Sequence, residues 1–290
     1  FPCYLFPKNI TFAPLKMKNL SFAPGILFSI STLLVSCSEY QKVLKSTDFN
    51  YKYDMAIKYY EEKEYYKALP ILEEMVPIYK GSPQGEKLFY YYAYCNYQLE
   101  DFTMAGYYFE SFGKVYPYSQ WAEECSFLAA KCYYFQSPEF NLDQSNTIKA
   151  ISQLQLFVNR YPNSGYETEC NSNIDELRKK LEFKEFYIAL LYYRIESYKA
   201  AIIAFETMQK DFPGSPFREQ SAFLELKAQY LLSMNSISEK KLERFESTVK
   251  KYNSFFGSFP QSTFSKDAKA IYDNSVKQIN SINKSNTNPS

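Results

Sequence analysis

The sequence predicts an all-α protein built from stacked helix pairs, and three observations predict it. From Tyr51 to Lys284 apolar residues recur at helical spacing almost without a break, and no run alternates with the two-residue period of a strand. Small and large residues return in a fixed order: an alanine, a second alanine twelve residues on, an aromatic or leucine four after that, and a proline twelve after the second alanine. Four stretches repeat one phrase, Tyr116-Pro117-Tyr118-Ser119, Tyr161-Pro162-Asn163-Ser164, Phe212-Pro213-Gly214-Ser215 and Phe259-Pro260-Gln261-Ser262.

Taken in order, the chain opens on a segment that reads as something other than fold. The first residue is Phe, and Met17-Lys18 reads as the start, with residues 1–16 an upstream artefact or leader. Residues 17–36 then read as a lipoprotein signal peptide. Ile26, Leu27, Phe28, Ile30, Leu33, Leu34 and Val35 form an apolar stretch too short for a stable membrane span, and it closes on Leu34-Val35-Ser36-Cys37. A leucine three before a cysteine, with a small residue between, resembles the cleavage and lipidation site of signal-peptidase-II substrates. Cys37 is therefore the expected lipid-attachment residue, carrying diacylglycerol and an N-acyl chain. Acyl chains contribute about 0.8 kcal/mol per buried methylene, so two or three of them anchor stably. Residues 37–50 read as a polar tether.

The helical units follow. The first has Ala56, Ala68 and Leu72, with its proline displaced to Pro83; the second has Ala93, Ala105, Phe109 and Pro117. The third keeps Ala150, Leu154 and Pro162, but its first alanine, Ala130, lies twenty residues back, which places an insert at Gln136-Ser137-Pro138-Glu139-Phe140-Asn141. The fourth repeats the second as Ala189, Ala201, Phe205 and Pro213, and a degenerate fifth has Thr248, Tyr252 and Pro260. Antiparallel helices approach closely only where a side chain is small, so the paired alanines mark the crossing. The residue four on shares that face, and the proline ends the second helix. The serine of each repeated phrase is placed to cap the helix that follows.

Pro83 to Pro117 is 34 residues, the tetratricopeptide period, and the later gaps of 45, 51 and 47 carry insertions. The fold class is thus a tetratricopeptide-like (TPR) superhelix of about five helix-pair repeats with a C-terminal capping helix. Between Tyr166 and Arg194, Ile174, Leu177, Leu181, Ile188 and Leu191 keep helical spacing with no Gly or Pro, which predicts one helix of about 29 residues, roughly 43 Å. That helix divides an N-terminal half, residues 51–165, from a C-terminal half, residues 166–284, leaving 285–290 as a tail. Lys266 to Lys284 reads as the final helix.

Composition excludes much. There is no histidine, which removes Ser-His-Asp and Cys-His catalysis and every histidine-containing metal site. No carboxylate pair, glycine-rich loop or nucleophile elbow stands out, so the chain reads as neither an enzyme nor a metal or cofactor binder. With 33 Lys and Arg against 32 Asp and Glu there is no basic excess to suggest nucleic acid. Cys95, Cys125, Cys132 and Cys170 have no zinc-type spacing and read as buried thiols, or as one bridge between neighbouring helices.

The lipidation cysteine, the tether, five repeat units, the insert in the third and the long helix into the fourth together resemble one family, the BamD lipoproteins of the outer-membrane β-barrel assembly machinery. The most specific stretches are Tyr161-Pro162-Asn163-Ser164, Leu181 through Tyr193-Arg194 to Tyr198-Lys199-Ala200-Ala201-Ile202, and Asp211-Phe212-Pro213-Gly214-Ser215. The resemblance implies a non-catalytic scaffold of the Bam complex, held by lipid on the periplasmic face of the outer membrane. Its C-terminal repeats would dock the periplasmic domains of a BamA-type barrel subunit and its N-terminal repeats would bind unfolded outer-membrane proteins. The other reading is a periplasmic TPR lipoprotein that organises cell-envelope enzymes. From the residues alone, the first helices of the first two units carry Tyr53, Tyr60, Tyr90, Tyr94 and Tyr97. These form either a groove for an extended, aromatic-bearing client strand or ordinary core and rim packing.

Overall fold

The computed structural model describes residues 39–287, and among them every regular element is a helix. A short helix α1 covers residues 39–45. It is followed by α2 (Phe49–Glu61), α3 (Tyr65–Ile78), α4 (Pro83–Gln98), α5 (Phe102–Val115), α6 (Ala122–Phe135), α7 (Ser145–Arg160), α8 (Glu167–Arg194), α9 (Tyr198–Asp211), α10 (Arg218–Met234), α11 (Ser238–Ser258) and α12 (Ser265–Thr287). The pairs are tetratricopeptide-like. Cys37 lies outside the described residues.

The alanine signature does what its spacing requires. Ala56, Ala68, Ala93, Ala105, Ala150, Ala189 and Ala201 are all fully buried, and so are Leu72, Phe109, Leu154 and Phe205 four residues after the second position. Thr248, the fifth unit's substitute for alanine, is also fully buried, and its hydroxyl lies 3.1 Å from that of Ser233 on α10.

The repeated aromatic-proline phrase has one structure four times over. The aromatic residue is the C-cap of α5, α7, α9 and α11, with φ between −125° and −137° and ψ between 62° and 68°. A residue before proline is pushed out of the right-handed helical region, so the helix stops there. Its N–H still closes the last helical bond, to the carbonyl of Phe112, Phe157, Met208 or Phe255. The serine works two residues earlier than the N-cap position. Its Oγ accepts from the N–H two residues on, at Trp121, Tyr166, Phe217 and Phe264, with distances of 3.0, 3.1, 3.0 and 3.0 Å. These are turn bonds, and they leave the N-cap positions Trp121, Tyr166 and Phe217 without a side-chain cap of their own.

That bond places an aromatic ring which the repeat reading did not include. Tyr166 stacks on Phe127 of α6 at 4.2 Å, Phe217 on Phe186 of α8 at 4.7 Å, and Phe264 on Phe223 of α10 at 4.6 Å. The serine-x-aromatic spacing is a second repeat signature in the sequence, and in the last three turns its physical role is to fasten the turn to the preceding helix pair.

Four expectations change. Residues 39–45, expected as tether, are helical because Val43 is fully buried and Tyr40 sets its ring edge on Tyr59 of α2 at 5.8 Å. Pro83 does not end a helix. It is the first residue of α4, where its missing N–H would have no intrahelical partner. The charge-dense run Glu239-Lys240-Lys241, whose composition reads as a turn between helices, lies in the first turn of α11. The chain divides into two compact units between Cys95 and Asn96, inside α4, and not at residue 165. The physical reason is that α8, a single 28-residue helix, packs on both α7 and α9 and so joins the pairs on either side of it.

Within the second unit each helix from α5 to α12 packs on the next, and α10 also touches α8 and α12, the neighbour-and-next-neighbour pattern of stacked repeats. The insert, residues 136–144, is docked on the long helix. Phe140 sets its ring edge-on to Phe183 at 4.7 Å and to Tyr187 at 5.4 Å, while Lys180 donates to Ser137 Oγ at 2.8 Å and Lys184 to the carbonyl of Leu142.

Candidate binding surfaces

The expected groove residues fall into three places. In the first unit, Tyr60 on α2 stacks face to face on Tyr91 of α4 at 3.5 Å and meets Tyr94 at 5.9 Å, and Tyr90 meets Tyr94 at 5.8 Å. One ladder of rings thus forms from successive turns of α4 and the facing turn of α2. Tyr90 is buried, whereas Tyr60 and Tyr94 are half-buried and keep part of each ring accessible. Burial, with the neighbouring Tyr90, Tyr94 and Tyr91, pushes the Tyr60 phenol well above its ordinary range, so it stays a neutral donor at any physiological pH. Tyr53 lies against Tyr79, the C-cap of α3, at 5.7 Å. Tyr97 belongs to the second unit, where it meets Phe102, Phe109 and Phe135.

A second surface was not singled out in the sequence. On α8 and its C-cap, Phe183, Tyr187, Leu191 and Ile195 follow one another at four-residue steps and are 37, 39, 47 and 62% exposed. Four-residue spacing puts them on one helix face, where Phe140 of the insert packs on Phe183 and Tyr187 and leaves Leu191 and Ile195 the more exposed. The α8 periodicity was legible. Which of its faces stays uncovered depends on where α7, α9 and the insert land.

Three comparisons with known proteins bear on what such surfaces serve. A family model described as "YfiO: Outer membrane lipoprotein" matches residues 46–245, more than half of the chain. The chain belongs to the YfiO outer membrane lipoprotein family. Among this YfiO chain's relatives, an outer membrane protein assembly factor BamD from Haemophilus influenzae is 22% identical over 233 residues, 77% of this chain and 87% of that protein. Another BamD, from Caulobacter vibrioides, is 28% identical over 131 residues, and the match spans 45% of this chain and 43% of that protein. A putative BamD from Aquifex aeolicus is 27% identical over 180 residues, 62% of this chain and 57% of that protein. Among solved structures, a putative kinesin light chain with nearly identical TPR-like repeats covers 73% of the YfiO chain at 12% identity and a TM-score of 0.30. At that score it adds nothing to the fold read from the helix pairs themselves.

The remaining chemistry of this YfiO chain is packing chemistry. Cys95, Cys125, Cys132 and Cys170 are free and buried, with no bridge among them. Burial pushes the thiols of Cys95 and Cys132 up to about 12 and that of Cys170 up to about 11, which removes the thiolate that reactivity needs. Among the described residues no group of three His, Cys, Asp or Glu side chains could hold a metal ion, and no helix is long and apolar enough to cross a membrane.

Proposed function

We propose that this YfiO-family chain is a non-catalytic scaffold that helps assemble β-barrel proteins into the outer membrane, anchored there by acyl chains on Cys37. One observation carries the reading: the relatives that align with three-quarters or more of the chain, from Haemophilus influenzae and Pasteurella multocida, are both named outer membrane protein assembly factor BamD. Stacked helix pairs offering exposed aromatic and aliphatic surface suit that role, since such stacks create extended binding surfaces.

In this reading the two surfaces have separate partners. The tyrosines of the first unit receive unfolded barrel proteins: Tyr53, Tyr60 and Tyr94 supply contact area, and Tyr90 backs them from the core. Extended strands with alternating aromatics offer rings to such a surface at little entropic cost. The α8 row docks the periplasmic domains of a BamA-type barrel subunit.

Isolation of the lipidated chain from detergent-solubilised membranes, followed by mass spectrometry, tests the whole. The BamA-type subunit must accompany the wild-type chain and be lost when Leu191 and Ile195 are both changed to Glu. Peptides from barrel-protein strands must bind the wild type and fail to bind Tyr53→Ala/Tyr60→Ala/Tyr94→Ala. Co-purification of envelope enzymes in place of the barrel subunit would move the chain to the other reading, a scaffold for cell-envelope enzymes.

A further inference from the structure

The repeat register brings out a contrast between two grooves of the second unit. One lies among α5, α6 and α7 and the other among α9, α10 and α11. They occupy the same place in the repeat, because Ala105, Phe109, Phe157 and Tyr161 in the first correspond to Ala201, Phe205, Phe255 and Phe259 in the second.

The α9–α11 groove, about 410 Å³, answers its own charges. Lys251 pairs with both Glu206 and Glu225, and Gln209 donates to Glu225 at 2.7 Å and to the carbonyl of Phe205 at 3.1 Å.

The α5–α7 groove, about 280 Å³, lacks every member of that network but one. Gly113 stands where Gln209 would be, Ala129 where Glu225 would be and Gln153 where Lys251 would be. Glu110, the counterpart of Glu206, accepts from the Tyr133 hydroxyl at 2.8 Å. A Cβ at Gly113 would meet nothing within 4 Å. The floor is therefore apolar, with Phe109, Ala129, Ala130 and Phe157 buried beneath and Leu156 60% exposed at the mouth, while Glu110, Ser126 and Gln153 put polar groups in the walls. Two cations stand at its edge, Lys114 and Arg160. Both are exposed, Arg160 lies over its neighbour Tyr161, and neither joins an ion pair among the described residues.

We propose that the α5–α7 groove is a docking site for a segment of another protein that inserts one large apolar side chain and sets a carboxylate beside it against Lys114 and Arg160. The volume suits one or two side chains and falls below the usual range for small-molecule pockets, about 300–1,000 Å³. The charge of the edge selects an acidic neighbour, and an arginine fork grips a carboxylate through two parallel N–H groups. The site shares no residue with the tyrosine ladder or with the α8 row, so it stands or falls separately from the assembly role.

The test places the photo-crosslinking residue p-benzoylphenylalanine at Leu156 of the full-length chain, in cells that make it natively, and identifies the joined peptide by mass spectrometry. That peptide is then synthesised and titrated against the purified protein. The expected segment has an aromatic, Leu or Met within four residues of an Asp or Glu. Its affinity falls about tenfold or more in G113Q/A129E/Q153K, which transplants the α9–α11 network, and in K114E/R160E. Replacing the peptide's carboxylate by lysine restores binding to K114E/R160E. The second variant alters only exposed residues and decides the matter if the transplant does not fold. Absence of a protein crosslink, a crosslink to lipid, a basic or wholly polar segment, or unchanged affinity in K114E/R160E would overturn the proposal.

Discussion

Lys52 is a charged residue in the middle of an apolar stripe, and two substitutions around it should act in opposite directions. It lies on α2 in line with Met55, Ala56 and Tyr59, all buried and all at the spacing that faces α3. Its side chain is 4% exposed, and its Nζ donates to both oxygens of Glu74, at 2.8 and 2.6 Å. Glu74 is 45% exposed on its side chain. Removing one partner of a wholly buried ion pair costs about 3–5 kcal/mol, because the other charge is left without an answer. Here the carboxylate is half in water and solvent reaches the ammonium once it is gone, so Glu74→Ala should cost about 1–3 kcal/mol. Lys52→Met removes the desolvated charge, keeps an unbranched stem of similar length and extends the stripe. It should be neutral or stabilise by about 1 kcal/mol. Lys52→Met/Glu74→Ala should match Lys52→Met alone. Stacked helix pairs need not unfold as one, so a single melting midpoint mixes the two units. Native-state hydrogen exchange of the α2 and α3 amides reads the unit that carries the pair. If Lys52→Met loosens those amides as much as Glu74→Ala does, the pair is itself a net source of stability and the reasoning about desolvation fails.

Other outcomes follow from the same packing. Ala201→Leu adds three carbons at a fully buried crossing and should cost about 1–3 kcal/mol, seen as a drop in urea midpoint. Phe264→Ala removes the ring stacked 4.6 Å from Phe223 and should cost about 3 kcal/mol, the low end for core phenylalanines because this ring is only half-buried. Calorimetry should show the loss, and Phe264→Tyr should recover most of it. Lys63, Glu100 and Glu196 hold φ near +60° at the ends of α2, α4 and α8, so Glu196→Gly should stabilise by about 0.5–1 kcal/mol in urea denaturation. For the thiols, the folded pKa is raised above the unfolded value of 9.0, to about 12 for Cys132. Their contribution is fully present below pH 9 and is lost as pH rises toward 12. Unfolding midpoints from pH 8 to 11 should decline less in Cys132→Ala, and in the folded wild type a disulfide reagent at pH 8 should leave all four buried cysteines unmodified.

The alanine and proline positions were legible before any coordinates because each acts through its own covalent shape. A small side chain permits a close crossing wherever it lies, and a proline disfavours the helical conformation of the residue before it, which ends α5, α7, α9 and α11 although α3 accommodates Pro70 and Pro77 within its length. The 28-residue α8 was legible for the same local reason, an apolar period with nothing to interrupt it. The serine-x-aromatic spacing at Trp121, Tyr166, Phe217 and Phe264 is equally present in the chain, but what it does at the last three, setting a ring on a different helix, depends on packing that no local stretch carries.

What the residues alone decided, then, is the succession of helix pairs, their ends and their crossings, since backbone sterics and periodicity are local. The folded arrangement decided which faces remain open: Tyr90 inside the ladder while Tyr60 and Tyr94 reach its surface, the α8 row met by the insert at Phe183 and Tyr187 and more exposed at Leu191 and Ile195, and one groove closed on its own charges while its twin has Gly113 and Ala129 where two of those groups would stand. Exposure is set by the helices that pack alongside, tens of residues away in sequence, and no single stretch carries that information.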